Sequence, residues 1–575
     1  MNHLQPRLSP NSIAYQHFHK TLPLGENLRV GANAWKALRD ACLSGTTSIS
    51  TIENIPGGKL PPGNPPSDQS NFRSASTATV AAPFVSPMAA WSATDGFAAQ
   101  PEDIAMPAPP SITSKAIAAE MNELYWMARL RDVPITDLGQ QAQQSGAIDD
   151  INNGYNAAIA NGETEIVTYR DIPLAQGKSA FTKDTIFRAG LPGENVGPMV
   201  SQFFLQPINY GAQLILPTQI PYKPGQNYLL TMGDWLLAQN TGLDTDGDAY
   251  NHDNDFSKEP GDFELTPGPD GKPMRYYIRT MRDLCRFVNR DALHQAYFNA
   301  GLLLNGWGAK PTPGNTLNGK MRQIGFATLG GPDILALISW VACDALRTVW
   351  HQKWRLWLRL RPEAFGGLAS IAPKELGDAY GALTGLNGHN GTGAEKLLLP
   401  VAFSAGSPAH PSYGAGHASV AGACVTLLKA WYAGDTLISK LIANSGVDPV
   451  AGFNTIKAAG APMANGEPPD YTGADGASLT VEGELNKLAS NVAMGRSMGG
   501  VHFRTDNTRS LGLGELVTTF WLSNFVNTYR EAPTFAFNSF DGAKVSISQA
   551  GVSVDGVNGL SGDDLVQRYN ANGHI

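Results

Sequence analysis

Three separated segments of the chain carry cations and histidines at spacings suited to binding an anion. In the first, Lys353 is followed eight residues later by Arg361, and Pro362 comes next. At about 100° per residue, a helix brings Arg361 to within roughly 80° of Lys353. Pro362 disfavours helical conformation at Arg361 and frees that side chain to turn inward. A basic face in solvent, shared with Arg355 and Arg359, is the alternative.

The second segment is a glycine turn that runs directly into an apolar helix. Gly414 and Gly416 flank Ala415, and His417 follows in the first turn of the predicted helix. Amides at a helix start favour a bound anion, and a glycine there lets the backbone approach it closely. His417 is placed to exchange a proton with the ligands of that anion. A capping or packing role for His417 is the alternative.

The third segment combines an arginine, a histidine and an aspartate. Arg496 can offer a bidentate fork to an oxyanion, and His502 can supply a neutral imidazole nitrogen as ligand or nucleophile. Asp506 could orient that imidazole from the i+4 position, or equally cap the following helix. Asp291 is a candidate buried partner for Arg496 or His417, with a solvated helix face as its alternative.

The composition restricts the partners that the chain can have. Its 42 Lys and Arg against 50 Asp and Glu give a net charge of −8, and the pI is near 5.8. Nucleic acid and membranes are therefore not expected as partners, and a bound anion must be captured by a local cluster of cations. The first residues contain no apolar signal segment, so we expect a soluble protein, with a cytoplasmic location favoured.

Cysteine usage gives no indication of a metal or redox motif. The four cysteines include no C-x-x-C pair. Cys285, Cys343 and Cys424 lie in apolar helical contexts, which predict buried free thiols.

Hydrophobic periodicity predicts an all-α fold of the helical-bundle type, with long loops and a small C-terminal hairpin near 533–556. Residues 1–113 are predicted to form an N-terminal arm with loops that make oligomer contacts. Residues 114–575 are predicted to form one helical domain, with the anion site in 345–510. The predicted helices span 114–130, 276–305, 329–358, 416–434, 484–498 and 508–529.

Together the three segments form a specific signature. The order K-x7-RP, Gly-His at a helix start and R-x5-H-x3-D resembles that of the vanadium haloperoxidase and type 2 acid phosphatase superfamily. The surrounding stretches RPEAFGG, SPAHPSYGAGHASVAGAC and GLPGENVGPMVSQFF are similar to the bromoperoxidases of red algae and cyanobacteria. The resemblance covers most of the chain from about residue 115 onward.

The resemblance implies a bound vanadate with His502 as its axial ligand. The Gly416 amide would donate to this cofactor, and His417 would be the acid–base group of the reaction, with Lys353 also taking a catalytic part. The implied activity is oxidation of bromide, with chloride and iodide as further halides, by hydrogen peroxide to hypohalous acid that halogenates small organic substrates. The cations implied to neutralise the vanadate oxygens are Lys353, Arg361 and Arg496.

Three positions bear on how closely the chain follows the family. His410 matches a histidine typical of bromoperoxidases, whereas Trp350 matches a tryptophan of chloroperoxidases; both are candidates for the halide pocket, and bromide is the expected halide. Plain aromatic packing is the alternative for Trp350. The family usually has a serine where this chain has Ala415, which removes one donor at a cost of about 1–3 kcal/mol of binding. Ser412 and Ser419 are candidates to compensate.

Two other functions compete with this interpretation. An acid phosphatase would bind a phosphate ester in the same cluster and form a phosphohistidine at His502. A calcium-stabilised scaffold is suggested by the acidic run Asp244–Asp255, although its glycine is misplaced and the final glutamate of a calcium loop is missing. Structural calcium could also accompany the vanadate enzyme. The resemblance further implies a homo-oligomer, a dimer or a larger assembly.

Overall fold

The structure is a computed structural model. It describes residues 17–18, 20, 22, 29–30, 32–43, 82–163, 172–250, 260–389, 393, 395–444, 453–460 and 466–575. Helices make up most of the regular secondary structure in this part, which confirms the all-α prediction. The helices are α1 (Ala32–Leu43), α2 (Lys115–Leu130), α3 (Leu138–Gln144), α4 (Ala147–Ala160), α5 (Met232–Thr241), α6 (Met281–Arg290), α7 (Gln295–Gly306), α8 (Gly331–His351), α9 (Pro362–Ile371), α10 (Gly377–Thr384), α11 (Gly416–Trp431), α12 (Ile438–Asn444), α13 (Val481–Met498), α14 (Arg504–Phe525) and α15 (Gly562–Asn572).

Helix α11 is the centre of the bundle. It packs against α14, α8 and α13, and nearly every one of its residues is buried. A helix that is apolar all round can be stable only in such a position. The contact with α14 is close because a Cβ on Gly514 would lie 2.0 Å from the Ser419 carbonyl oxygen, and one on Gly422 would lie 2.1 Å from the Leu511 oxygen. The two glycines therefore set the distance between these helices.

The chain preceding α2 lies along the bundle. Within the described stretch 82–114, the Gln352 side chain accepts from Met106 N at 2.9 Å and donates to the Ile104 carbonyl at 2.8 Å. Asp95 N donates to Asp344 on α8 at 3.2 Å. Residues 82–113 thus contact the helical body, whereas residues 44–81 lie outside the described residues.

Helix α8 begins a long apolar stretch of the chain. The stretch Gly331–Ile371 passes the length and hydropathy criteria for a membrane span, alone among the described residues, and 56% of its most apolar window is buried inside the protein. A core helix gives the same signal. Cys343 lies on the outer face of α8 and is exposed, so the prediction of a buried thiol there is wrong, while Cys285 and Cys424 are buried.

The C-terminal region is larger than the predicted hairpin. Four strands, β5 (Phe535–Asn538), β6 (Lys544–Ser548), β7 (Gly551–Val554) and β8 (Val557–Leu560), form one antiparallel sheet in chain order. Alternate side chains of β5, β6 and β7 are buried, and Phe535 stacks on Trp431 of α11 with ring centroids 5.8 Å apart. Short two-stranded ladders, β1 (Leu174–Ala175) with β2 (Lys178–Ser179) and β3 (Ile208–Tyr210) with β4 (Gln213–Ile215), lie in the loops.

Two predicted helix boundaries are wrong in ways that affect the site. The predicted helix 276–305 is divided into α6 and α7, because Asp291 takes an extended conformation and ends α6. The helix predicted from 508 begins at Arg504, so Asp506 lies in its first turn. Both differences place an aspartate beside a histidine of the candidate site.

Candidate active site

The three predicted segments meet in the interior of the protein. Arg361 Nη1 lies 3.0 Å from His502 Nε2 and donates to the Val501 carbonyl at 2.7 Å. Lys353 Nζ donates to the carbonyls of Pro411 and Ser412 at 2.8 and 3.1 Å. The first and third segments are thus in contact with each other and with the loop that precedes α11.

Lys353 and Arg361 reach the site by a route that differs from the prediction. After α8 the chain forms a π-helical turn, Gln352–Trp357, and Leu358 then ends it with a left-handed φ of 46°. Arg361 is extended and precedes Pro362, the first residue of α9, as the proline rule predicts. The two cations are therefore not on one regular helix, and the 100° spacing argument is wrong in its geometry.

Arg496 enters the site from the end of α13. Its Nη1 donates to the Val288 carbonyl at 2.8 Å and its Nη2 to the Tyr250 hydroxyl at 2.7 Å. Its Nε is buried and has no hydrogen-bond partner among the described residues. One donor of this guanidinium is consequently left for another acceptor. No pattern in the sequence predicted a role for Tyr250, because this residue lies in an irregular loop.

Buried positive charge is the main electrostatic feature of the site. Lys353, Arg361 and Arg496 are at most 3% exposed, and within the described chain none of them forms a salt bridge with a carboxylate. Burial, together with the charge of Arg361, lowers the pKa of Lys353 well below its usual range. Burial also lowers the pKa of Arg361 to about 10. Three buried cations without counter-ions favour a bound anion strongly.

His502 is held in one tautomer by its neighbours. Its Nδ1 lies 3.1 Å from Asp506 Oδ2, which also accepts from Phe503 N at 3.0 Å. Asp506 therefore contacts the imidazole and caps α14 at the same time. Burial, reinforced by the charges of Arg361 and Lys353, lowers the pKa of His502 well below its usual range. The ring is neutral, with its proton on Nδ1 facing the Asp506 carboxylate and its Nε2 lone pair towards Arg361.

A buried network behind Asp506 has no counterpart in the sequence prediction. Arg359 donates to Asp506 Oδ1 at 2.6 Å and to Glu120 Oε2 at 2.8 Å, and all three side chains are at most 2% exposed. Glu120 also accepts from Thr505 N at 2.7 Å. A basic face in solvent was the alternative interpretation that included Arg359. The Arg359 side chain is instead buried, and it links Glu120 of α2 to the Asp506 carboxylate beside His502.

His417 and Asp291 form the second histidine–carboxylate pair of the site. His417 Nε2 lies 3.1 Å from Asp291 Oδ1, and the aspartate side chain is 2% exposed. Burial lowers the pKa of His417, and the Asp291 carboxylate opposes this shift. Of the two partners considered for Asp291, the structure places His417 beside it.

Trp350 and His410 lie together at the edge of the cation cluster. Their ring centroids are 5.0 Å apart, and Lys353 Nζ is 5.6 Å from the Trp350 ring. His410 Nδ1 is 3.0 Å from Arg361 Nη2, and burial lowers the pKa of His410 well below its usual range. A Cβ on Gly416 would lie 3.2 Å from the Trp350 ring, so the helix start also approaches this indole closely.

Comparison with known proteins identifies the family. The family model described as the VCPO second helical-bundle domain matches residues 333–531. A vanadium-dependent bromoperoxidase of Ascophyllum nodosum is 30% identical over 562 residues, covering 94% of this chain and 88% of the relative. That of Corallina pilulifera is 32% identical over 485 residues, covering 78% and 76%. This chain belongs to the vanadium-dependent bromoperoxidase family.

The fold of a solved bromoperoxidase structure is similar to that of this chain. The homohexameric second vanadate-dependent bromoperoxidase of Ascophyllum nodosum superimposes with a TM-score of 0.68 at 25% identity, covering 96% of this chain and 88% of that chain. The agreement extends over the helical bundle and the regions on both sides of it.

The residues present fit the vanadate of a bromoperoxidase. A vanadate carries negative oxygens, and this site offers three buried cations without carboxylate partners and a neutral imidazole nitrogen. Ala415, where the family usually has serine, is fully buried and its amide donates to Ser510 Oγ at 2.8 Å. Ser412 donates to Asp506, and Ser419 donates to the Ala415 carbonyl at 3.1 Å. Both serines expected to compensate thus have other partners.

The acidic loop of this bromoperoxidase-family chain is only partly described. Asp244 accepts from the amides of Asp246 and Asp248 at 3.0 and 2.8 Å and from Ser404 Oγ at 2.6 Å, so both its oxygens are engaged. Over the described ranges, no group of three metal-binding side chains occurs. Asp253 and Asp255 lie outside the described residues, so calcium binding stays a prediction.

Proposed function

We propose that this chain uses vanadate to oxidise bromide with hydrogen peroxide, forming hypobromous acid that halogenates small organic molecules. The observation that carries the proposal is the cluster of three buried, carboxylate-free cations around a neutral His502 nitrogen. The names of the relatives from Ascophyllum and Corallina support the halide. When bound, vanadate supplies a Lewis-acidic centre that makes peroxide electrophilic towards halide.

The cations hold the oxyanion and compensate its charge. Lys353, Arg361 and Arg496 approach from three elements, so that they can meet oxygens on different sides of one small anion. Preorganised donors of this kind are effective because they need no reorganisation when charge develops in a reaction. The Gly416 amide at the start of α11 adds a backbone donor.

His502 would hold the vanadate through its ring nitrogen. Its Nδ1 proton faces Asp506, which leaves the Nε2 lone pair for the cofactor, and Arg359 orients the aspartate. Because Arg361 Nη1 lies 3.0 Å from the same Nε2, we infer that this guanidinium turns from the ring to the oxyanion when the site is loaded.

His417 moves protons at the site. Its Nε2 is hydrogen-bonded to Asp291, which orients the ring and leaves Nδ1 for exchange with bound peroxide. Its lowered pKa favours a neutral ring that can accept a proton. Trp350 and His410 form the wall at which halide approaches, with bromide as the main halide and chloride and iodide as further ones.

The rival function, phosphate-ester hydrolysis through a phosphohistidine at His502, uses the same cations. The purified chain is stripped of bound anions and divided between two assays, halogenation of monochlorodimedone with bromide and peroxide, and hydrolysis of p-nitrophenyl phosphate. We expect halogenation only after vanadate is added, and its loss in His502→Ala. Robust phosphatase turnover with no halogenation would contradict the proposal.

We also propose that the chain assembles as a homo-oligomer through residues 1–113. The relative solved from Ascophyllum nodosum is homohexameric. Residues 82–113 of this arm contact α8 of their own chain, and Phe18 packs edge to face on Trp354 of the same chain. Contacts to other copies are therefore proposed for those parts of the arm that do not pack on the bundle.

A further inference from the structure

A second cavity adjoins the histidine–carboxylate pair of the active site. It has a volume of about 470 Å³ and lies between the segment after β4, helix α6 and the first turn of α7. Its described lining includes Asp291 but none of the three vanadate cations and neither His417 nor His502. The cavity is thus separate from the cation cluster and is connected to it through one carboxylate. Its volume is in the range of small-molecule sites.

Apolar and aromatic side chains form one wall of this cavity. Phe204 and Phe287 meet edge to face with centroids 4.9 Å apart, and Phe203 lies beside them. Ring edges and faces in this arrangement pack well against another flat ring. The wall is suited to an aromatic ligand.

Guanidinium groups dominate the charge of the cavity. Arg275, Arg286 and Arg290 line it, against the single carboxylate of Asp291. Arg286 is held 5.4 Å from the ring centroids of Tyr222 and Phe263, and Arg275 donates to the Thr218 carbonyl at 3.2 Å. Three arginines in an acidic protein, two of them held in place, are complementary to a carboxylate.

Asp291 links the cavity to the active site. Its side chain is 2% exposed, its Oδ1 faces His417, and its Oδ2 is buried. The Asp291 carboxylate therefore belongs to the active site, and the charge that the cavity offers to a ligand is that of the guanidinium groups.

We propose that this cavity binds the organic substrate, an aromatic carboxylate. The carboxylate meets the arginines, and the ring lies against Phe204 and Phe287. The halogenation part rests on the function proposed above. Hypobromous acid formed from peroxide and bromide transfers its bromine to a ring carbon; the C–Br bond forms, the O–Br and C–H bonds break, and the ring proton leaves with the hydroxide as water.

Binding is tested by calorimetry on the full chain without vanadate or peroxide, using 4-hydroxybenzoate as the probe. We expect one site per chain and at least about 10-fold weaker binding of 4-hydroxybenzamide, which lacks the charge. The double variant Arg275→Gln/Arg290→Gln, in which both side chains are at the rim, should lose at least about 10-fold. Arg322→Gln, an exposed arginine outside the cavity, is the matched control and should bind like the wild type.

The kinetic arm measures bromination of 4-hydroxybenzoate by the vanadate-loaded chain. The double variant should raise KM for 4-hydroxybenzoate, and Arg322→Gln should not. Absence of 4-hydroxybenzoate binding, or equal affinities for 4-hydroxybenzoate and 4-hydroxybenzamide, would overturn the proposal. Failure of the proposed function has a different signature, in which 4-hydroxybenzoate binds as expected but no halide is oxidised.

Discussion

At the scale of single residues, the site is defined by what surrounds each charge. Lys353, Arg361 and Arg496 lack carboxylate partners, whereas Arg359, only two residues before Arg361, is bound by two carboxylates. The types and spacing of the first three were predictable because they match a known signature. The different environment of Arg359 was not predictable, since its partner Glu120 lies 239 residues away in the sequence.

His417→Ala is expected to reduce bromide oxidation by about 100-fold or more, because general acid–base groups typically contribute that much. Vanadate affinity should change by much less, since the cations and His502 remain. Steady-state halogenation and a vanadate titration on the same preparation measure the two effects. Asp291→Asn is the matched variant and should give a smaller loss of kcat. Unchanged kcat in His417→Ala would contradict the proton-transfer role.

Ala415→Ser restores the hydroxyl usual in the family. The Ala415 amide already donates to Ser510, and Ala415 is the fully buried N-cap residue of α11. One added donor to an anion is expected to tighten vanadate binding by about 5- to 100-fold. The dissociation constant from equilibrium dialysis tests this, with Ala415→Cys as a control of similar size and weaker donor strength. Equal constants for all three proteins would show that the hydroxyl does not reach the cofactor.

At the scale of elements, the site depends on irregularities that periodicity cannot predict. Asp291 contacts His417 only because the helix predicted over 276–305 is broken after Arg290, at a point without glycine or proline. Lys353 and Arg361 meet only because a π-helical turn and a left-handed Leu358 follow α8. These departures are determined by tertiary packing, whereas the long regular helices were predictable from their apolar spacing.

Gly514→Ala tests the close contact between α11 and α14. A methyl group there would lie 2.0 Å from the Ser419 oxygen and 2.5 Å from Ala423 N, both of which are backbone atoms, so the helices must separate. We expect the free energy of unfolding to fall by about 1–3 kcal/mol or more. Gly381→Ala, in α10 with no atom within 4 Å of the added carbon, should be neutral or slightly stabilising. Urea denaturation compares them, and equal stabilities would contradict the packing argument.

Asp344 makes the contact between α8 and residues 82–113 sensitive to pH. Burial raises its pKa to about 7, and the nearby Asp95 carboxylate adds to the rise. Between about pH 4 and pH 7 the unfolded chain has lost this proton while the folded chain keeps it, so stability falls as pH rises through that window.

Asp344→Asn, which retains an acceptor for Asp95 N, should remove that decline. We expect the variant to gain about 2 kcal/mol relative to the wild type between pH 5 and pH 8, as measured by chemical denaturation. Asp270→Asn, at an exposed turn, is the control and should keep the wild-type slope. A parallel pH profile for Asp344→Asn and the wild type would rule out this role.

At the scale of the whole molecule, the fold class and the family followed from the sequence because the apolar helices and the three motifs lie in a fixed order. The size of the C-terminal sheet and the course of residues 82–113 did not, since their short segments acquire order only by packing on the bundle. Both regions contact helices that carry or adjoin residues of the active site.

The proposed oligomer is tested by mass. Light scattering coupled to gel filtration should give a multiple of the 61.2 kDa chain. Deletion of residues 1–81 is expected to reduce that multiple. The deletion also removes the packing of Phe18 and Leu38 on Trp354, so circular dichroism of the variant is used to check that the bundle is folded. A monomeric full chain, or a deletion variant with an unchanged mass, would contradict the role of the arm.

The most direct test of the central claim is a titration of anion-free protein with vanadate, followed by its bromide- and peroxide-dependent halogenation rate. Buried cations without counter-ions, arranged around one neutral imidazole, predict that the rate rises from near zero and saturates at one vanadate per chain. Added phosphate should slow the rise by competition, and Lys353→Met should require at least about 10-fold more vanadate. A rate that is independent of vanadate, or that never rises, would contradict the account.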